Sequence, residues 1–401
     1  MTYVVMTSVL IYLHGRSLCP LKVYLFDVCL TPTPLFMAGK KKELLLLHQP
    51  PIIAFMDYAV ETAVVILNWN GKDFLEKFLP KVVEYTCSAD TQVIIADNHS
   101  DDDSVAFLEA HYPQLRLIRN AENGGFAKGY NDALKQVNAR FYVLLNSDIE
   151  VTPDWVAPVI RKMKADPMVG AAQPKLLSYF QKDRFEYAGA AGGFIDRLGY
   201  PFCRGRIFDH TEPDQGQYED EREIFWATGA ALFVRSDLFR ALGGLDADFF
   251  AHMEEIDFCW RLHNAGYKVM YYPCSTLYHI GGGTLPKSSP TKTYLNFRNN
   301  LALLYKNLPK KKLWSVFCLR FWMDAAAAML FLLKRQGADF RAVCRAYRDF
   351  YRQKKRHRVK RKTITQRPYG TGVYRKSIVA QYYLRRKTTF TALSPEDFGY
   401  E

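Results

Sequence analysis

The feature of this sequence that most restricts its fold is a regular alternation of short apolar segments with amphipathic ones between residues 62 and 145. The segment Ala63–Leu67 is a continuous run of apolar and β-branched residues, which is typical of a strand covered on both faces in a parallel sheet. The alternation predicts three further strands and three helices: strands at 92–96, 115–119 and 141–145, and helices at 73–85, 102–111 and 125–137. This βαβαβαβ order predicts an α/β fold with a doubly wound, mainly parallel sheet.

Polar residues follow each of these four predicted strands. The carboxyl ends of parallel strands meet along one edge of a sheet, where ligands of such folds usually bind. Asn and Asp also favour ordinary turns, but their repetition at four successive strand ends favours a shared binding site. The residues are Asn68 and Asn70, then Asp97 and Asn98, then Asn120 and Asn123, and finally Asn146, Ser147 and Asp148.

The second half of the chain is less regular. Residues 180–220 have an irregular, glycine-rich sequence. After them the pattern predicts two strands and three helices: strands at 230–234 and 269–272, and helices at 254–264, 294–308 and 313–333.

The segment 313–333 is long enough to span a bilayer. Arg320 and Asp324 lie in its middle, and each opposes insertion by about 2.5–3.5 kcal/mol. We therefore favour helices that lie in the membrane interface, or that pack together with one apolar face towards lipid. A true membrane span and a soluble helical subdomain are the alternatives.

The formal net charge of +13 is concentrated near the C-terminus, since residues 334–362 contain thirteen Lys or Arg and only two Asp. A basic run beside an apolar segment favours attraction to anionic lipid, worth about 1 kcal/mol per basic residue near the surface. A solvated or partly disordered tail is the alternative. A nucleic-acid partner is not expected, because Tyr347, Phe350 and Tyr351 supply few rings for stacking on bases.

The first 55 residues differ from the rest, with short apolar runs, several prolines and no sustained periodicity. A signal peptide over residues 1–19 is one interpretation, although its basic residues follow the apolar run instead of preceding it. We favour translation from Met56, with residues 1–55 outside the native fold. The eight cysteines show no Cys-x-x-Cys spacing, so reduced cysteines in a cytoplasmic protein are expected.

Three local patterns predict chemistry. Asp148 and Glu150 follow an apolar strand at a spacing of two, which places both carboxylates on one side of an extended segment, as a Mg²⁺ or Mn²⁺ ion requires. A turn followed by a helix start is the alternative there. Glu254, Glu255 and Asp257 open a predicted helix, where acids either answer the helix dipole or remove a proton from a substrate hydroxyl.

The third pattern is a histidine at the end of a strand, His279, followed by glycines 281–283, which permit close approach of the backbone to a ligand. A structural role for a lone histidine is the alternative.

In combination, these residues resemble the family 2 glycosyltransferases of the GT-A fold, and most closely their rhamnosyltransferase-like branch. The resemblance covers about residues 63–309. Its motifs occur in the order of the family and are Val65 to Gly71, Asp97 to Asp102, Asn123 to Asn131, Asn146 to Asp148, Thr228 to Ala230, and Glu254 to Asp257.

The resemblance implies roles for individual residues. Asp97 would bind the base of a nucleotide-sugar donor, Asp148 would hold Mg²⁺ or Mn²⁺, and Glu255 would be the catalytic base of an inverting displacement. Glu150 and His279 match positions that complete the metal coordination, and Glu254 is the alternative base. The remaining residues expected to line the donor and acceptor pocket are Asn68, Asn70, Asn98, Asn123, Asn131, Asn146, Thr228 and Gly229.

Two positions depart from the family pattern. Asn146 stands where the first acid of the Asp-x-Asp motif is expected, so one metal contact is neutral or absent. Glu255 stands where Asp is usual, and its longer side chain shifts the carboxylate; an error of about 1 Å at a reacting group costs about 10²-fold in rate. These departures leave open a non-catalytic nucleotide-sugar-binding scaffold as the alternative function.

We therefore predict four regions: an N-terminal extension (1–55), a GT-A domain (56–289), a helical basic membrane-associating region (290–362) and a C-terminal tail (363–401). The predicted function is transfer of a sugar, plausibly rhamnose from dTDP-rhamnose, to a polysaccharide or lipid-linked acceptor. The predicted location is the cytoplasmic face of the plasma membrane, with its anionic lipids as a partner. A UDP-hexose or GDP-sugar donor is the alternative, since pocket contacts decide the donor.

Overall fold

The strands predicted from the sequence form part of a nine-stranded mixed sheet in the computed structural model, which describes residues 58–281, 289–368 and 370–399. The expectation for residues 1–55 lies outside the described residues. The strands are β1 (Val60–Asn68), β2 (Thr91–Asp97), β3 (Arg116–Arg119), β4 (Ala139–Asn146), β5 (Ile149–Glu150), β6 (Val169–Ser178), β7 (Gly193–Asp196), β8 (Pro201–Cys203), β9 (Arg206–Ile207), β10 (His210–Thr211), β11 (Arg222–Ile224), β12 (Ala231–Arg235), β13 (Lys268–His279) and β14 (Val373–Tyr374).

The helices cover both faces of this sheet and continue beyond it towards the C-terminus. They are α1 (Lys72–Thr86), α2 (Ser104–His111), α3 (Gly125–Leu134), α4 (Ala157–Ala165), α5 (Ser236–Ala241), α6 (Glu254–Ala265), α7 (Pro290–Asn307), α8 (Lys310–Leu333), α9 (Gly337–Thr363) and α10 (Ile378–Tyr383).

The large sheet has the order β11-β13-β6-β12-β4-β1-β2-β3, and β5 pairs with β13. Strands β4, β1, β2 and β3 are parallel, whereas β12 runs antiparallel to both of its neighbours. The side chains of Val64, Val65, Val143 and Leu144 are fully buried, because helices cover both faces of the parallel strands. The predicted α/β fold with its doubly wound sheet is confirmed.

The register of the parallel strands brings their ends to one level. Asn68 pairs with Asp97 across β1 and β2, and Leu67 pairs with Asn146 across β1 and β4. The polar residues that follow three different strands therefore lie side by side, as the sequence predicts.

The irregular region 180–220 contains most of a second, five-stranded sheet of order β10-β9-β8-β7-β14. Its last strand comes from near the C-terminus, because Val373 pairs in parallel with Ile195. Beyond β14, the backbone N–H of Ile378 donates a hydrogen bond to the buried carboxylate of Asp196 at 2.9 Å. The segment expected to be a separate tail is thus packed onto the domain, through strands too short to leave a periodic signal.

Residues 337–362 of the basic run lie within helix α9, which packs against α7. Helix α8 is the one helix of the described chain that is long and apolar enough to cross a membrane, judged by length and composition. Its two charged residues near the middle, Arg320 and Asp324, are buried and form an ion pair of 3.2 Å. Arg320 Nη1 also donates to the Leu198 carbonyl at 3.2 Å, and Asp324 accepts the Tyr200 hydroxyl at 3.0 Å. Arg320 and Asp324 therefore attach α8 to the region of the second sheet.

We predict that Arg320→Met lowers the free energy of unfolding by about 3–5 kcal/mol, because it leaves the Asp324 carboxylate buried without its cation. Trp314→Ala is the control, since this larger side chain on the same helix is 83% exposed and its removal should change stability by less than about 0.5 kcal/mol. The measurement is urea unfolding followed by circular dichroism. Equal midpoints for the two variants would contradict the role of the buried pair.

Candidate active site

The carboxyl ends of strands β1 and β2 carry Asp97, a carboxylate that hydrogen bonds hold in place. Asp97 is 3% exposed and accepts hydrogen bonds from the Ser100 hydroxyl at 2.6 Å and the Ser100 backbone N–H at 3.0 Å. Asn68 Nδ2 donates to Asp97 Oδ1 at 3.3 Å, while Asn70 Oδ1 accepts the N–H of Asp101 at 2.7 Å. The first two motifs are thus joined into one hydrogen-bonded edge.

A chain of amides continues this edge. Asn120 Nδ2 donates to Asn98 Oδ1 at 3.0 Å, and Asn98 Nδ2 donates to Asn123 Oδ1 at 2.9 Å. Asn123 in turn accepts the N–H of Gly125 at 3.0 Å. Gly125 has a φ of +76°, and a Cβ there would lie 2.5 Å from the carbonyl oxygen of Phe250, so the loop that carries Phe250 packs directly on this glycine.

Asp148 and His279 are brought together by the pairing of β5 with the end of β13, in which His279 lies opposite Ile149. His279 Nε2 is 3.1 Å from Asp148 Oδ1, and His279 Nδ1 is 3.4 Å from Glu186 Oε2. Burial opposes the charged imidazolium, but the two carboxylates outweigh it and raise the pKa of His279 to about 10. Burial likewise opposes ionisation of Asp148, and the neighbouring His279 lowers the pKa of that carboxyl. The surroundings therefore favour positive charge at this point.

The Asp148–His279 pair fits a divalent cation. Two ligands that bind one Mg²⁺ or Mn²⁺ ion at about 2.1 Å in adjacent octahedral positions are about 3.0 Å apart, close to the 3.1 Å observed. The Glu186 carboxylate lies beside the other ring nitrogen, as is common for histidines that bind metals. No third His, Cys, Asp or Glu joins them in the described residues, so a ligand would supply the remaining coordination positions.

Glu150 lies elsewhere. Its carboxylate forms ion pairs with Lys81 and, at 2.7 Å, with Lys182, and these pairs lower its pKa although burial opposes the shift. Asn146 does reach the site, since its Nδ2 is 3.5 Å from His279 Nε2. Of the residues expected to hold a metal, the structure brings Asp148 and His279 together and leaves Glu150 paired with lysines.

The first two acids of α6, Glu254 and Glu255, lie in surroundings that oppose their ionisation. Burial raises the pKa of Glu254 well above its ordinary range, and the neighbouring Glu255 raises it further. Burial also raises the pKa of Glu255 to about 7, although the N–H groups of the first helical turn favour its charged form. One oxygen of each of these carboxylates is buried without a hydrogen-bond partner. Glu255 therefore has the proton affinity of a general base near neutral pH.

Asp257 is fully buried, and both of its oxygens are engaged. It accepts hydrogen bonds from Arg261 Nε at 2.9 Å, Lys306 Nζ at 2.9 Å and Asn307 Nδ2 at 2.8 Å. Lys306 and Arg261 lower the pKa of Asp257, although burial opposes the shift. The carboxylate holds helices together and is not brought to the strand-end edge.

Asn131 is engaged in a similar way. Its amide donates to the carbonyl of Leu245 at 2.7 Å and accepts the N–H of the same residue at 2.9 Å. It therefore fixes the loop that precedes the acids, and both halves of its amide are used there.

The segment Thr228–Ala230 links the two halves of the site. The Ala230 carbonyl accepts the N–H of Asn146 at 3.0 Å, so this segment lies beside the end of β4. A Cβ at Gly229 would lie 3.9 Å from Cβ of Glu255. Thr228 is buried and caps the segment through a 3.2 Å bond to the N–H of Ala230.

Sequence reasoning missed Glu186 and Asn299. Glu186 lies in the region interpreted as irregular, and it reaches His279 because its N–H bonds to the carbonyl of Leu176 in β6, the strand that neighbours β13. Asn299, in α7, holds the loop before the acids, as described below. Neither residue has a motif around it, and both depend on contacts between distant parts of the chain.

The chain is similar to known glycosyltransferases in sequence and in fold. Residues 63–216 match the model of glycosyl transferase family 2. The chain is 25% identical over 231 residues, 54% of its own length and 75% of the relative, to the N-acetylglucosaminyl-diphospho-decaprenol L-rhamnosyltransferase of Mycobacterium tuberculosis. It is 27% identical over 228 residues, 55% of its length, to the O-antigen biosynthesis protein RfbC of Myxococcus xanthus, of which it covers 17%.

Among solved structures, the chain resembles the crystal structure of GalNAc-T7 with UDP, GalNAc and Mn²⁺, with a TM-score of 0.49 and 16% identity. This similarity covers 63% of the chain, which spans about half the length of that protein (49%). The predicted rhamnosyltransferase-like resemblance is confirmed by the two sequence relatives and the family match. Residues 63–216 of the chain therefore match the family 2 glycosyltransferases, and the chain has a GT-A fold.

Proposed function

We propose that this enzyme transfers a sugar from a nucleotide-diphosphate donor with inversion at the anomeric carbon, and that Glu255 is its catalytic base. The observation that carries the proposal is the position of Glu255, a carboxylate with a pKa of about 7 placed against Gly229, which itself adjoins the strand end of Asn146. A group of this proton affinity removes a proton from an acceptor hydroxyl as the hydroxyl attacks. Attack from the face opposite the leaving group gives inversion.

Asp148 and His279 are the residues that would hold Mg²⁺ or Mn²⁺. The ion, when bound, would neutralise charge that develops on the departing nucleotide diphosphate. Glu186 would orient the His279 ring, and the fixed carboxylate of Asp97 would accept hydrogen bonds from the donor base. The predicted contribution of Glu150 to the metal stays a prediction, which its two lysine partners make less favourable.

Comparison of Asp148→Ala with Glu150→Ala tests the metal site. We expect Asp148→Ala to lower kcat/KM by about 10²-fold or more, because it removes the charged ligand. Glu150→Ala should retain metal-dependent turnover within about fivefold, since its carboxylate pairs with lysines. The assay is release of free nucleotide from a panel of nucleotide sugars, starting with dTDP-rhamnose, under titration with Mn²⁺, Mg²⁺ or EDTA. Equal losses in both variants would restore Glu150 as a ligand.

The pH dependence of turnover tests the base. Because only the ionised form of Glu255 accepts a proton, we expect kcat/KM to rise with pH and to level off above about pH 7. Glu255→Gln should lower kcat by about 10²–10⁴-fold and remove this dependence, with donor binding by calorimetry unchanged. Glu254→Gln is the matched control. A larger loss in Glu254→Gln than in Glu255→Gln would transfer the role to Glu254.

The names of two relatives support a choice of donor and acceptor. The Mycobacterium relative is named as a rhamnosyltransferase for a diphospho-decaprenol acceptor, and the Myxococcus relative as an O-antigen biosynthesis protein. We infer that this chain uses dTDP-rhamnose and a lipid-linked or polysaccharide acceptor in cell-envelope synthesis. Turnover of a UDP-hexose or GDP-sugar in place of dTDP-rhamnose would contradict this donor.

Helix α8 supports a location at the cytoplasmic face of the membrane. Its two central charged residues, Arg320 and Asp324, are buried against the protein, and its exposed side chains include Trp314, Trp322 and Leu333, which are 83%, 67% and 78% exposed. Helix α9, which packs against α8, carries a stripe of exposed arginines at intervals of three and four residues: Arg341, Arg345, Arg348 and Arg352. Exposed tryptophans and exposed arginines are side chains that match the apolar and anionic layers of a bilayer surface.

Vesicle flotation tests this location. We expect the protein to float with phosphatidylcholine vesicles that contain phosphatidylglycerol, and flotation to fall at least about tenfold for the double variant Trp314→Ser, Trp322→Ser. Phe180→Ser is the control, because Phe180 is 72% exposed on the catalytic domain. Unchanged flotation of the double variant would contradict the proposal. Conversion of a dimer to a monomer by the double variant, seen by light scattering, would instead assign this face to a second copy of the chain.

A further inference from the structure

The loop before the proposed catalytic base has an unfavourable backbone conformation. Phe250, His252 and Met253 all have positive φ values, of 65°, 69° and 73°, and none of them is glycine. Each such residue costs about 1–3 kcal/mol and persists only where its surroundings enforce it. Met253 is also the residue from which helix α6 starts, so this loop determines where Glu254 and Glu255 lie.

One buried side chain of another helix, Asn299 of α7, bonds to three carbonyl groups of this loop. Asn299 in α7 is fully buried, and its Nδ2 lies 2.9 Å from the carbonyl oxygen of Phe249, 2.9 Å from that of Ala251 and 2.8 Å from that of His252. Three carbonyls therefore share two amide hydrogens. The orientation of the amide is fixed, because its oxygen accepts hydrogen bonds from Arg298 Nε at 2.9 Å and Nη2 at 2.7 Å.

Other side chains hold the start of the loop. Arg298 Nη2 donates to the carbonyls of Asp248 and Phe249 at 3.0 Å each. Lys360 of α9 forms ion pairs with both Asp246 and Asp248. Loss of the Asn299 amide would thus leave the loop attached at its start and at the Phe250 carbonyl, which accepts the Ala127 N–H at 3.3 Å, while the carbonyls of Ala251 and His252 would lose their side-chain donor.

We propose that Asn299 is a positioning residue for the catalytic base, whose amide holds residues 249–253 in the strained conformation that directs Glu255 towards the acceptor. The inference rests on the proposed role of Glu255. In an unstrained loop the positive φ values would relax, the start of α6 would shift, and the carboxylate would leave its place beside Gly229. A displacement of about 1 Å at a reacting group lowers the rate by about 10²-fold.

The adjacent residue Asn300 provides a matched control. It is also a buried asparagine of α7, and its Nδ2 donates to the Gly199 carbonyl at 2.7 Å while its oxygen accepts from Arg320 at 2.7 Å. Its bonds therefore hold the turn before β8 and helix α8, and not the loop before the acids. A general loss of packing in α7 would affect both residues in the same way.

The experiment compares Asn299→Ala, Asn299→Asp and Asn300→Ala in the full chain. We expect both Asn299 variants to lower kcat by about 10–10²-fold while KM for the donor changes by less than about twofold, because donor contacts are retained. Asn299→Asp keeps the shape of the side chain but lacks the N–H donors, so it should be as impaired as Asn299→Ala. Asn300→Ala should reduce stability in urea but lower kcat by less than about threefold.

Amide hydrogen exchange provides a readout that does not depend on turnover. Faster exchange in residues 249–257 of both Asn299 variants, and not of Asn300→Ala, is the expected result. Equal losses of kcat in Asn299→Ala and Asn300→Ala, or normal kcat and exchange in Asn299→Asp, would overturn the inference. If the unmodified protein turns over no donor, the proposed function fails, and exchange alone decides whether Asn299 holds the loop.

Discussion

The rest of the structure depends on a buried cluster of charges between helix α6 and the C-terminal helices. Lys306 of α7 bridges Asp257 at the start of α6 and Asp246 in the loop before it, and Lys360 of α9 also contacts Asp246. Buried charges of this kind are tolerated only when each is paired, and removal of one partner leaves the others uncompensated. The cluster therefore fixes α7 and α9 against the start of α6 and the loop that precedes it. Helices α7 and α9, which we predicted to associate with a membrane, therefore also support the candidate active site.

The parallel half of the fold and the edge that carries the site could be predicted from the sequence because both depend on local patterns. The apolar run at 63–67 indicates a strand buried on two faces, and the following Asn68 marks where it ends. Since the strands of a doubly wound sheet all present their carboxyl ends at one edge, the positions of Asp97 and Asp148 follow from the same reasoning. The register observed between Asn68 and Asp97 is the direct consequence.

The remaining parts could not be predicted because they depend on contacts between distant segments. The second sheet is completed by β14, a strand of only two residues, Val373 and Tyr374. These residues pair with β7, almost 180 positions earlier in the sequence. Asn299 has no neighbouring motif, and its role is visible only once α7 lies against the loop. The sequence does show that Arg320 and Asp324 oppose membrane insertion, but it does not show that both side chains point into the protein.

The same reasoning explains why neighbouring acids of one helix turn differ in chemistry. Asp257 has Arg261, Lys306 and Asn307 as partners, so its charge is neutralised and its pKa is lowered. Glu254 is buried and Glu255 is half-buried on the same turn, but no Lys or Arg contributes to the shift of either pKa. Burial without a cation makes the proton harder to remove, and that is the property that a base near neutral pH requires. The positions of Arg261 in α6 and Lys306 in α7 therefore distinguish Asp257, which holds the helices together, from Glu255, which we propose as the base.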